Sequence, residues 1–97
     1  MQDIERQLSA LNELKGFLIN FMGDLSTKTQ EYNQRVHGLR DAGLPVQISD
    51  NYEANYCTPN NQHLRHLVEN MENVDFQFIN ANIAHFEQAL ERARMMR

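Results

Sequence analysis

The 97-residue chain has no tryptophan, one cysteine, two prolines and four glycines. A single cysteine excludes an internal disulfide framework and fits a reducing compartment. Positive charge is not gathered into a tract, and the net charge is -4, so a nucleic-acid or acidic-membrane footprint is not expected. The sole basic grouping is Arg92, Arg94 and Arg97, which reads as cations placed at a helix C-terminus against its dipole. No apolar run approaches the length of a membrane span. The opening stretch MQDIERQLSALNELKG is charged and amphipathic, unlike a cleaved signal peptide. These absences lead us to expect a soluble, cytoplasmic protein; export without a cleaved signal is compatible with them.

The punctuation is grouped. Residues 1–42 contain no proline, and residues 60–97 contain neither proline nor glycine. Between them runs GLPVQISDNYEANYCTP. This predicts an all-α antiparallel two-helix hairpin, with helices over about 3–42 and 59–96 and a connector over 43–58, in one domain.

In the first helix Ile4, Leu11, Leu18, Leu25, Tyr32 and Leu39 recur every seven residues. A second series four residues on runs Leu8, Lys15, Met22, Thr29, Val36, Gly43. Alternating steps of four and three define a coiled-coil seam. Gly43, followed by Leu44 and Pro45, is a stop signal. Gly16 and Gly23 lie inside this helix and weaken it, and Asp24, Ser26 and Thr27 could re-cap a helix broken near Gly23. Thr58-Pro59 predicts the start of helix two. Its stripe runs Leu64, Val68, Met71, Asp75, Ile79, Asn82, Phe86, Leu90 and Ala93. Equal helix lengths suggest a register in which partners' numbers total about 101 to 104. That register places Thr29 against Asp75, within hydrogen-bond or water-bridge reach, or else Asp75 turns to solvent.

Apolar surface exceeds one seam. Leu14, Phe17 and Phe21 form a flank that the register sets beside Phe78, Ile79, Ile83 and Phe86. A two-helix hairpin lacks a second layer, so these seven residues are the expected interface for a helical partner or a second copy, two chains giving a four-helix bundle. The connector carries Val46, Ile48, Tyr52 and Tyr56. These side chains either cover the open end of the hairpin or present a tyrosine-rich tip, Tyr52 and Tyr56, to a partner.

Cys57, His63, His66 and His37 are the metal-ligating types that a hairpin could gather at its connector end. Zinc takes such donors in tetrahedral sites, but no C-x-x-C accompanies them. A Cys-His nucleophile would need a thiol of lowered pKa and an oxyanion site. Glu-x-x-His pairs for a carboxylate-bridged metal centre, phosphate-binding glycine loops and dinucleotide fingerprints are absent from the sequence. The expectation is therefore a protein with no cofactor and no enzymatic activity, working by protein–protein interaction. In length and outline the predicted hairpin is similar to the small helical hairpins of WXG100-type secretion. The resemblance is of shape alone: the Trp-x-Gly turn and the C-terminal Tyr-x-x-x-acidic signal have no counterpart here, and no residue roles carry over. It implies a secretion-associated hairpin as the alternative function.

Overall fold

A computed structural model describes residues 2–96. Most of the described residues are helical, with no strand among them: α1 (Gln2–His37), α2 (Val46–Tyr52), α3 (Thr58–Asn70) and α4 (Phe76–Met95). Two five-residue π-helical segments, Glu53–Cys57 and Met71–Asp75, join α2 to α3 and α3 to α4. The all-α class is as expected. Arg97, the last member of the basic grouping, lies outside the described residues; Arg92 and Arg94 occupy the last turn of α4.

Contacts divide the chain into two compact units. The turn unit holds Met22–Glu69, and the terminal unit holds Met1–Phe21 with Asn70–Arg97.

Helix α1 runs without a break through Gly23. The Thr27 hydroxyl donates to the Gly23 carbonyl at 3.2 Å instead of re-capping a new helix. Every residue of the 4–3 series from Ile4 to Leu39 is buried or half-buried, including Lys15 and Thr29, with exposed residues making up most of the rest of the helix. A heptad written in the sequence thus emerges as the covered stripe.

The turn unit is a hairpin closed by hydrogen bonds that the local sequence dictates. The Gly43 N–H reaches the Arg40 carbonyl at 3.0 Å, and the Leu44 N–H reaches the Leu39 carbonyl at 3.1 Å. This pair of bonds is the Schellman motif, which needs a left-handed residue; Gly43 supplies it at φ 95°. Pro45 then sets the chain extended at φ -55° and ψ 138°. Its carbonyl accepts from the Ile48 and Ser49 N–H groups at 3.0 and 3.1 Å, and a helix begins at once. Arg40 reaches across to the Ser49 hydroxyl at 3.4 Å and forms an ion pair with Asp50.

The connector expected over 43–58 is therefore mostly helix. The second arm starts at Val46, and Thr58 and Pro59 lie inside it. The reason Pro59 does not end the helix is the segment before it. Proline lacks an N–H and its ring presses on the carbonyl four residues back, here Asn55. Asn55 sits in the π segment, whose wider turn sends the Thr58 N–H to Glu53 and makes room for the ring. Ser49 is buried within α2 and donates to the Val46 carbonyl at 3.0 Å.

An earlier start for the second arm changes the register. Asn33 meets Asn61, and Tyr32 meets Asn60, so partners' numbers total 94 and 92, below the expected range. In the turn unit, Val36 and Cys57 are the buried apolar residues. In the terminal unit, Met71, Ile79 and Ile83 are.

The Thr29 hydroxyl donates to the Leu25 carbonyl of its own helix at 2.7 Å, and of the two expectations for Asp75 the solvent-facing one agrees with its exposure. Asp75 ends the second π segment and is exposed. The extra residue of that segment carries the covered stripe from Met71 to Phe76, in place of Asp75, and turns the carboxylate outward. Solvation is what an unpaired carboxylate requires.

Candidate functional site: an apolar flank and a polar seam

In the terminal unit, Leu14, Phe17 and Phe21 recur at steps of three and four on α1, outside the covered stripe. They are 45%, 64% and 41% exposed. The Phe17 and Phe21 rings stack with centroids 6.4 Å apart. Val74 and Phe78 are exposed on the opposing segment, Phe78 to 66%. Leu14, Leu18, Val74, Phe78 and Ile79 line an open groove of about 330 Å³, with Asp75 as the charged residue of its wall. Of the seven expected interface residues, Leu14, Phe17, Phe21 and Phe78 are thus exposed. Ile79 and Ile83 are buried in the unit's own seam, and Phe86 is half-buried, its ring edge-on to His85 at 5.5 Å.

The turn unit carries a different arrangement, which the sequence reading did not foresee. Asn33 and Asn61 exchange amide hydrogen bonds across the seam: Asn33 Nδ2 donates to Asn61 Oδ1 at 3.1 Å, and Asn61 Nδ2 donates to Asn33 Oδ1 at 2.8 Å. Asn61 Nδ2 also reaches the Cys57 carbonyl at 2.9 Å, and the Cys57 thiol donates to Asn33 Oδ1 at 3.5 Å. One turn away, Asn60 Nδ2 donates to the Tyr32 hydroxyl at 3.3 Å, and Tyr32 and Tyr52 share a hydroxyl–hydroxyl bond of 3.0 Å. Tyr52 stacks on Tyr56 at 5.5 Å. A signal was present. Ser49, Glu53, Cys57 and Asn61 recur every four residues and extend the stripe of the second arm backward. Reading a helix start at Thr58 hid them.

The Tyr52 phenol is raised above its ordinary value of 10. The largest cause is the hydrogen bond with Tyr32, followed by partial burial and then the negative charge that Tyr32 and Cys57 carry when ionised. With Asn60 already donating into the Tyr32 oxygen, Tyr52 is well placed as the donor of the pair, and a donor holds its proton.

The metal-ligating types are not brought together. Cys57 is buried among amides, while His37, His63 and His66 are exposed. His37 Nδ1 lies 3.7 Å from Glu53 Oε1. Among the described residues no three histidine, cysteine or carboxylate side chains form a set able to hold a metal ion. The gathering fails because the second arm is helical from Val46, which strings Cys57, His63 and His66 along successive turns. A buried thiol hydrogen-bonded by neutral amides also lacks the cationic surroundings that activate a nucleophile.

Of the connector side chains, Val46, Ile48 and Tyr56 are more than half exposed, Tyr52 bonds Tyr32 of α1, and Ser49 turns inward. Among the described residues no helix is long and apolar enough to cross a membrane. Comparison with known proteins found no matching family, no matching curated protein and no matching solved structure.

Proposed function

We propose that this chain is a non-enzymatic interaction or assembly module: an adaptor, chaperone-like protein or structural subunit that works through its apolar helix faces. The observation that carries this reading is the exposed flank of Leu14, Phe17, Phe21, Val74 and Phe78 beside an open groove. The three phenylalanines alone expose roughly 350 Å², nearly half of the ~800 Å² that each partner contributes to a standard interface. Apolar patches of that order, about 300–600 Å², are often functional. The terminal unit's few buried residues argue the same way, because a single seam between two helices is a thin core. The partner is a second copy, giving a two-chain four-helix bundle, or another helical protein. Nucleic acid and membrane are not part of this reading, and the proposed location is cytoplasmic.

The test is Phe17→Asp. Phe17 is exposed, so the charge spares the chain's own seam. The expected result is loss of association by light scattering or loss of the captured partner, with helicity by circular dichroism retained. Unchanged mass and unchanged partner capture would sink the reading.

A further inference from the structure

Resting on that reading, we infer that the occupant of the groove is a second copy of this chain, with α4 packed antiparallel on α4 so that each Met95–Met96 end covers the other's Phe78 groove. Three observations converge. The outer face of the second arm is periodic: Val74, Phe78, Ala81, His85, Gln88, Arg92 and Met95 recur at alternating steps of four and three, and all are exposed. This spacing matches the α1 seam and suits a second helix laid alongside. The apolar content is concentrated at the two ends. Val74 and Phe78 adjoin the α1 flank at one end, and Met95 and Met96, 79% and 86% exposed, stand at the other.

A chain cannot satisfy these ends by itself. Phe78 and Met95 lie on one continuous helix, about 25 Å apart at 1.5 Å per residue. The helix cannot fold back on its own groove, so a groove covered by these methionines is another molecule's. Methionine suits the task, being unbranched and able to fill an irregular apolar gap.

Charge chooses the orientation. Glu72 and Asp75 sit at the groove end of the face's helix, and Arg92 and Arg94 sit in its last turn, with Glu87 and Glu91 between. Among the described residues the ion pairs are Lys28–Glu31, His37–Glu53 and Arg40–Asp50, all in the turn unit. Arg92 and Arg94 are not among them. Antiparallel packing brings these guanidinium groups beside the second copy's Glu72 and Asp75, and places Arg92 within reach of the Phe78 ring for a cation–π contact. Parallel packing sets like charges together at both ends.

The experiment mixes two full-length variants, Val74→Cys and Met95→Cys, and oxidises them. Cys57 is buried and stays as it is. The expected product by mass spectrometry is the mixed disulfide joining position 74 of one copy to position 95 of the other. Predominance of 74-to-74 and 95-to-95 disulfides would mean a parallel pair and overturn the inference, as would a monomeric native mass for the unaltered chain. In parallel, Met95→Asp with Met96→Asp should weaken the dimer roughly tenfold or more while helicity holds. If that variant stays dimeric while Phe17→Asp dissociates, the tail-in-groove inference fails and the apolar-flank reading survives. If neither variant dissociates, the inference falls, and if Phe17→Asp also leaves partner capture unchanged the apolar-flank reading falls with it.

Discussion

Asn33 and Asn61 face one another across the turn unit and exchange both of their amide hydrogen bonds, at 3.1 and 2.8 Å. Such a pair is satisfied in one alignment of the two arms and broken in any other. A single polar layer of this kind is a known means of fixing helix register. Asn61→Ala leaves the half-buried Asn33 amide short of partners and should cost about 1–2 kcal/mol in urea unfolding. The two single substitutions should be strongly non-additive with the double, with a coupling of about 0.5–3 kcal/mol. Additive effects would mean that the two amides act independently.

Tyr52 gives the turn unit an alkaline limit. Its folded pKa is raised above 10 by the bond with Tyr32. A raised folded pKa means that the protonated form is favoured in the native state. The contribution is therefore complete below pH 10 and is lost as pH climbs through the raised value. Absorbance at 295 nm should show Tyr52 ionising above pH 10, and Tyr32→Phe should bring that step down toward pH 10. A late step that persists in Tyr32→Phe would exclude the hydrogen bond as its cause.

Two glycines should respond in opposite directions to alanine. A Cβ at Gly23 meets nothing within 4 Å, and Gly23 lies inside α1. Gly23→Ala should stabilise by about 0.5–1 kcal/mol through helix propensity and a stiffer unfolded chain. Gly43 holds φ 95° in the turn, and Gly43→Ala should cost about 1–2 kcal/mol. Melting temperatures of the two variants, read against the parent, decide the matter; a shift of the same sign in both would contradict it.

Most of the first helix was legible, because one heptad, polar only at Lys15 and Thr29, sets the covered stripe from Ile4 to Val36; its end was not, since α1 stops at His37 and not at residue 42, the chain turning before Gly43. The stop at Gly43 was legible because only a left-handed residue makes that turn. The second arm was misread from one residue, Pro59. Its usual meaning is a helix start, and that meaning moved the arm's beginning from Val46 to Thr58. The same misreading displaced the register and removed Asn61 and Cys57 from the seam. A π segment has no residue signature comparable to a glycine stop. It shows in sequence only as a stripe whose steps run long, as from Met71 to Phe76. The apolar flank was legible as excess hydrophobicity, but Ile79 and Ile83 could be sorted from Phe17 and Phe78 only once the seam's phase was known.

The second π segment also makes a forecast about insertions and deletions. In a long α-helix, losing one residue turns everything beyond it by about 100°, swinging apolar side chains into water. Met71–Asp75 already holds one residue more than the α-helical ladder needs. Deleting Asn73, an exposed residue within it, should let the segment relax to ordinary α-helix while Ile79 and Ile83 keep their facing. Deleting Asn20, exposed in the regular ladder of α1, should put the seam on either side of the cut out of phase. Thermal unfolding should therefore remain cooperative for the first deletion and collapse for the second. At Met71–Asp75 the chain carries a spare residue, and the frame of its helix can be edited there without being lost.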